Sequence, residues 1–567
     1  MRLRFTVVGT DARCADAAVL APRGTPVSAV LEDLRFLVAA PDARLYAGGR
    51  AVDPSAALGL PPLLDGAVLS FRRPAHFDAV AGPLELRVVA GPDSGAIHRL
   101  GPGPVTVGRA PAVTVRLDDP DVSRLHAVLE VTPAGVRVRD VGSTNGSRVR
   151  SAAGTHPGRL SVGDSMAVGR SILQLVVPEV VAAAARADGE GHLEVNRPPR
   201  ITTAPAPVEI ALPRRPVPRD APRFPLLMLL LPLLLGAVLF ALSRNPTYLL
   251  FLLLSPLMLV GNYVSDRASG RRGNRKAQRE YDAKRAAAQE RVLAAVAAEE
   301  TAVRQGAPDA AELLATATAP GPRLWERRIE DGDFLAVRLA LADLPSSVVL
   351  RDPFPDGPDG VSHPDLADVP LSVSLRTAGV TGVAGRRSAV LGLARSVIAQ
   401  VATWHSHRTL QLILLGGREC AADWEWARHL PHLEPARGEE GAALVGWTAP
   451  HVAQRVGELL ALLEQRQRTG LRVEGTSWRT ASLVVLDGAR ALRSVPGVAR
   501  LLAEGPPCGI YVLCLEAEAV ALPAECAATA VLDDTAGPTL TLRVAGRRPV
   551  SGVVPDLVSA GWASRIG

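Results

Sequence analysis

Cysteine is scarce and unpatterned in this chain. Its five copies, Cys14, Cys420, Cys508, Cys514 and Cys526, are odd in number and contain no CxxC pair, which excludes a disulfide framework and a zinc knuckle and fits a reducing compartment. No secretory leader is expected from the opening residues: Met1–Val8 alternate as a strand does, without a long apolar core or cleavage site. Excess of one charge is slight. The formal net charge is +6 over 567 residues, and the surplus arginines stand in rows beside apolar runs, so they read as membrane topology and no specific nucleic-acid partner is implied. A chain of this length exceeds one core at roughly 100 to 200 residues per domain, which predicts three or four units.

What is present divides the chain. Residues 1–78 show the order ββαββ with a glycine turn at Gly48-Gly49 and a late strand near Leu63–Phe71, a pattern similar to ubiquitin-like β-grasp α+β domains. Residues 82–180 hold many short strands separated by turn residues, which predicts a β-sandwich. Residues 181–223 are rich in Pro and Arg and read as an extended linker. Two uncharged apolar runs follow in residues 224–264, Phe224–Leu242 and Tyr248–Val264; as helices they would extend about 28 and about 26 Å against a bilayer core of about 30 Å. Arginine rows flank the pair, Arg197 to Arg223 before it and Arg267 to Lys276 after it. Two transmembrane helices are therefore expected, in a multi-pass plasma-membrane protein with both termini cytoplasmic and a lipid bilayer as its partner. Residues 265–320 are rich in Ala, Glu, Arg and Gln and predict a helical stalk. Residues 321–567 alternate buried strands with helices, as in a parallel α/β sheet.

The sandwich region carries Gly108-Arg109, then Ser123-Arg124-Leu125-His126, then Ser143-Thr144-Asn145-Gly146. In this order, with strands between, they resemble the motif of forkhead-associated (FHA) domains. A phosphate dianion needs charge-assisted donors, and the planar guanidinium of Arg109 supplies several. The resemblance implies that Ser123 donates its hydroxyl to the phosphate, Arg124 adds a second cation, Thr144 sits against phosphothreonine and Asn145 holds the ligand backbone. It makes His126 a scaffold residue and gives Gly108 and Gly146 turn geometry. A phosphothreonine-containing protein and a Ser/Thr kinase pathway are the partners implied.

A second resemblance rests on Asn196-Arg197-Pro198-Pro199-Arg200-Ile201, the apolar pair, the phrase RLWERR with DFLAVRL (Arg323–Leu339), and DWEWARHLPH (Asp423–His432). These look like the front half of the EccC/EssC branch of FtsK/SpoIIIE ATPases, the motors of type VII secretion. That resemblance implies a stalk, a degenerate P-loop-like domain and secretion-motor ATPase subunits as partners. It also gives the expectation that Gly552–Gly567 closes the degenerate domain and that the working motors are absent or encoded separately.

The catalytic pattern of a motor is incomplete. A P-loop needs GxxxxGK[ST], whose amides cradle phosphate while its Lys reaches the terminal groups. Gly379, Gly382 and Gly385 with Arg386, Arg387 and Ser388 have neither that spacing nor the Lys, and Asp487 ends a Walker B-like strand but precedes Gly488 in place of Glu. No catalytic residue, cofactor or metal is assigned. His405, His407, His429 and His432 lack Cys or carboxylate at ligand spacing, and Trp424 and Trp426 read as packing anchors. The expected function is a phosphothreonine-binding membrane scaffold of a type VII secretion-like motor. The alternatives are an ATP-driven DNA or protein translocase and a freestanding FHA adaptor in kinase signalling.

Overall fold

The structure is a computed structural model and describes residues 1–11, 13–72, 83–151, 154–156, 158–178, 185–200, 207–216, 230, 234–235, 237–238, 241–242, 244, 247–318, 321–352, 360–435, 443–468, 480–533 and 537–567. They form two compact units, one of Met1–Thr203, Val303–Ala342 and Asp368–Gly567, the other of Ala204–Ala302 and Asp343–Ala367.

In the first unit, Arg2–Val8 buries Leu3, Phe5 and Val7 on one face, the period-two pattern of a half-covered strand. It pairs antiparallel with Cys14–Leu20 and parallel with Val68–Ser70 in a five-stranded sheet, and the helix Leu31–Leu37 contributes Leu34 to the same core. Next comes an FHA-like β-sandwich of a five-stranded and a six-stranded sheet. Leu86, Val107, Leu129, Met166 and Leu173, all fully buried, fill the space between them. The C-terminal part builds a ten-stranded sheet. Its parallel half runs through Ala528–Asp533, Val380–Ala384, Ile510–Glu516, Ala481–Asp487, Leu410–Leu415 and Val445–Gly446. These strands are apolar along nearly their whole length because both faces are covered, with the helices Arg387–Trp404 and Ala449–Arg468 among their cover.

The second unit is smaller. Glu209–Ala211, Val349–Arg351 and Val361–Ser362 form a three-stranded sheet, and Ile210 and Val348 pack on Ala288 of a long helix. Glu299 of that helix accepts a backbone hydrogen bond from Ser347 at 2.8 Å.

No helix among the described residues is long and apolar enough to cross a membrane. This overturns the expected fold with two transmembrane helices, and with it the multi-pass plasma-membrane placement, the cytoplasmic assignment of both termini and the lipid partner. The reason lies in continuity. Tyr248–Val264 belongs to one uninterrupted helix, Thr247–Gly306, in which Asp266, Arg267 and a long charged stretch follow the apolar part. The other run, Phe224–Leu242, falls mostly outside the described residues.

Candidate functional site

Strand register gathers the three motif pieces at one end of the sandwich. Ala127 lies opposite both Val107 and Asp140. The residues just after Val107, just before Ala127 and just after Asp140 therefore leave the sheet together. Gly108 is required here by close approach: a Cβ on it would stand 2.3 Å from the Arg124 carbonyl oxygen. With glycine in place, the Arg109 and Ala110 amides donate to the Ser123 and Arg124 carbonyls, both at 3.0 Å.

His126 is fully buried and ties the other two loops together. Its Nδ1 accepts from the Ser123 amide at 3.2 Å, and its Nε2 lies 3.1 Å from the Gly146 carbonyl oxygen. An amide can only donate and a carbonyl can only accept, so the ring is the neutral tautomer with its proton on Nε2. The Thr144 amide donates to Ser123 Oγ at 3.2 Å, and Asn145 Nδ2 donates to the Asp121 carbonyl at 2.9 Å.

On this frame Arg109, Arg124, Thr144 and Asn145 are exposed and Ser123 is half-buried. Arg109 spends only its Nε, on the Val122 carbonyl at 3.3 Å. Among the described residues no carboxylate pairs with Arg109 or Arg124. Two guanidinium groups thus stand at a surface whose hydroxyl and amide groups are already oriented, an arrangement suited to an anionic ligand.

Several residues that hold this frame were not singled out from the sequence. Asp140 accepts from the Gly142 and Ser143 amides and from the Ser143 and Ser147 hydroxyls, all within 2.9 Å. Burial pushes its carboxyl up, but these donors, led by Ser143, outweigh it and bring the pKa down to about 2. The signal was legible as an Asx turn, Asp ahead of Gly and Ser. Asp119 and Asp121, under the Ser123 loop, have no comparable local signal.

The turn in the P-loop position of the C-terminal sheet is different. Only Gly385 and Arg386 separate the strand Val380–Ala384 from the helix starting at Arg387. A cavity of about 730 Å³ opens there, at the carboxyl ends of the parallel strands. Arg387 donates to Asp487 Oδ2 at 2.8 Å and to Asp423 Oδ2 at 2.7 Å, and Trp424 Nε1 donates to Asp487 Oδ2 at 2.8 Å. Trp424 and Trp426 are both buried.

The four histidines do not converge as one ligand set among the described residues. His405 Nδ1 donates to the Val401 carbonyl, its Nε2 accepts from the Leu335 amide, and His432 Nε2 donates to the His405 carbonyl. His429 instead accepts from Arg428 at the surface. The phrases behind the second resemblance also serve as clamps: Arg200 grips Asp333 with two bonds of 2.6 Å, and Arg327, 3% exposed, donates to the Gly306 carbonyl at 3.0 Å.

Comparison with known proteins finds similarity of two kinds. Residues 87–179 match the family described as "Inner membrane component of T3SS, cytoplasmic domain". The ESX-4 secretion system protein EccC4 of Mycobacterium tuberculosis is 30% identical over 206 residues, 34% of this chain and 16% of the relative. Over such stretches, about a third of its length, the chain is homologous to the N-terminal region of type VII secretion proteins of the EccC/EssC kind. The EccC protein of Thermomonospora curvata is 31% identical over 124 residues, 20% of this chain and 9% of its own length. The match thus spans less than a fifth of these curated relatives. Among solved structures, the FHA domain of the CT664 protein from Chlamydia trachomatis is 30% identical, over 17% of this chain and 98% of that one, with a TM-score of 0.15.

Proposed function

We propose that this protein is a phosphothreonine-binding scaffold of a type VII secretion-like system and does not itself hydrolyse ATP. The observation that carries the reading is the convergence of Arg109, Ser123, Arg124, Thr144 and Asn145 at one end of the FHA-like sandwich, with two guanidinium groups uncommitted to any carboxylate among the described residues. A phosphothreonine brings the two features such a surface lacks, a dianion for the guanidiniums and a methyl group that can lie against Thr144. Its partners in this reading are a protein phosphorylated by a Ser/Thr kinase pathway and the ATPase subunits of the secretion motor. The two-residue turn at Gly385-Arg386 supports the absence of hydrolysis, since it is too short to wrap a triphosphate as a P-loop does.

The test is calorimetric titration of the full chain with a phosphothreonine peptide pool, its unphosphorylated twin and its phosphoserine twin. Binding of the first alone is expected. Arg109→Ala removes a charge-assisted contact worth about 1.5 to 3 kcal/mol, or about ten- to 150-fold in affinity. No binding by the unmodified chain sinks the reading. Isolation of the protein with secretion ATPase subunits, against isolation without them, separates the secretion role from a freestanding adaptor.

A further inference from the structure

The grip of Asn145 is traceable to the C-terminal sheet. Asp119, fully buried, accepts from the Asp121 amide at 2.9 Å through Oδ1, and from the Arg170 amide at 2.8 Å and Ser171 Oγ at 2.9 Å through Oδ2. It thereby fixes where the Arg170 side chain starts. That side chain reaches back to the pocket loop, with Nε donating to Asp121 Oδ2 at 2.6 Å. Asp121 is also the residue whose carbonyl receives the Asn145 amide. On its other side Arg170 lies against Gly537, which precedes the strand Thr539–Val544 of the ten-stranded sheet. Gly537 has φ +94°, and a Cβ there would stand 2.5 Å from Arg170 Nε, 2.9 Å from Cδ and 3.1 Å from Cζ.

We propose that Arg170 is a positioning residue for phosphopeptide binding and that Gly537 sets its position, so that the C-terminal sheet tunes the grip of Asn145. The inference rests on the reading of the sandwich as a phosphothreonine reader. Asn145 is exposed, and what orients its amide before a ligand arrives is the Asp121 carbonyl; a side chain already held in its binding rotamer loses less freedom on binding. The Arg170–Asp121 pair is 23% and 38% exposed, and pairs of that kind add little to stability. Removing it should therefore move affinity more than folding. Space for this arrangement exists only because residue 537 has no side chain. By thermodynamic reciprocity, any partner that shifts Gly537 changes phosphopeptide affinity, and phosphopeptide binding changes affinity for that partner by the same factor.

The experiment titrates the full chain with the phosphothreonine peptide pool and compares Arg170→Ala, Arg170→Lys, Gly537→Ala, Asn145→Ala and the Arg170→Ala/Asn145→Ala pair. Gly537→Ala touches nothing in the pocket, and the atoms it would strike are the flexible end of Arg170, so it displaces that side chain directly. Arg170→Ala and Gly537→Ala are expected to weaken binding about three- to tenfold, Arg170→Lys less, and Arg170→Ala to add nothing once Asn145 is gone. A merely structural arginine would lower the melting temperature and give losses that add in the double variant. If the unmodified chain binds and Arg170→Ala and Gly537→Ala bind as tightly, or the losses add, the inference is overturned and the pocket stands. If the unmodified chain does not bind, the reading of the pocket falls and this inference with it. Should Gly537→Ala fail to fold, the double-variant cycle decides alone.

Discussion

Substituting Gly108 by Ala tests whether the pocket depends on two loops meeting at backbone distance. The added Cβ would lie 2.3 Å from the Arg124 carbonyl oxygen, 2.9 Å from its carbonyl carbon and 3.1 Å from Leu125 Cα. All three are backbone atoms, so no rotamer change relieves the clash. Restoring ordinary contact requires the two loops to part by about 1 Å. The flanking bonds, Arg109 amide to Ser123 carbonyl and Ala110 amide to Arg124 carbonyl, are both 3.0 Å. Stretched to about 4 Å they are no longer hydrogen bonds. Overpacking costs about 1–3 kcal/mol and each lost bond about 1 kcal/mol, so the local penalty is about 3–5 kcal/mol. The same shift draws Arg109 away from Ser123, and the two cease to meet one phosphate; at least about tenfold loss of phosphopeptide affinity follows. Hydrogen exchange followed by mass spectrometry reports residues 105–126, and calorimetry reports binding. Gly457→Ala is the control, since a Cβ there meets nothing within 4 Å. Unchanged protection and unchanged affinity in Gly108→Ala would refute the claim that close approach builds the pocket.

Asp556→Ala leaves the Arg338 guanidinium, 5% exposed and bonded to Asp556 at 2.7 Å, without its carboxylate, at a cost of about 3–5 kcal/mol. Arg338 also donates to the Val89 carbonyl at 2.5 Å, so exchange protection should fall in Leu84–Ala90 as well; protection unchanged there would break that link. Burial above all pushes the His405 pKa down from 6.5 to about 3 and that of His432 down to about 4. Both rings are neutral when folded and protonate near pH 6.5 once unfolded, so their stabilisation is complete above pH 6.5 and declines as pH falls towards 4 and 3, by up to about 1.4 kcal/mol per pH unit for each. Guanidinium midpoints followed by tryptophan emission at pH 7.5, 6 and 5 should fall in that order, and a flat series contradicts the assignment. Purified protein should hydrolyse no ATP above background, and Arg387→Lys should not create activity; turnover that vanishes in Asp487→Ala would overturn this.

How much of this was visible in the sequence depends on the range of the interaction. The FHA-like end could be read because its residues sit in short loops beside alternating strands, and the antiparallel register alone brings Gly108, Ser123 and Thr144 together. Asp119 and Arg170 are 51 residues apart where they meet, and Arg200 and Asp333 are 133 apart. Such partners follow from the completed fold and leave no local pattern. The apolar run Tyr248–Val264 misled for a related reason. Hydropathy registers the run but not that the helix continues to Gly306 through Asp266, Arg267 and a long charged stretch.

Two arginines differ in the donors they leave for a phosphate. A guanidinium binds phosphate with whatever donors its surroundings leave over, since each bond given up to reach a ligand subtracts from the gain. Arg387 stands at the P-loop position, but its two terminal nitrogens are bonded to Asp487 and Asp423, and Trp424 holds Asp487 in turn. A triphosphate arriving there would have to break a partly buried ion pair and lie beside two carboxylates, and repulsion adds to the cost of leaving Asp487 buried and unpaired. At the sandwich end the balance is reversed. Arg109 has committed one nitrogen to a carbonyl, and Arg124 faces no carboxylate among the described residues. The surrounding Ser123, Thr144 and Asn145 are oriented by bonds that a ligand need not break. Phosphate thus meets oriented donors free of any described carboxylate at the sandwich, whereas in the C-terminal cleft the terminal donors of Arg387 are held by Asp487 and Asp423.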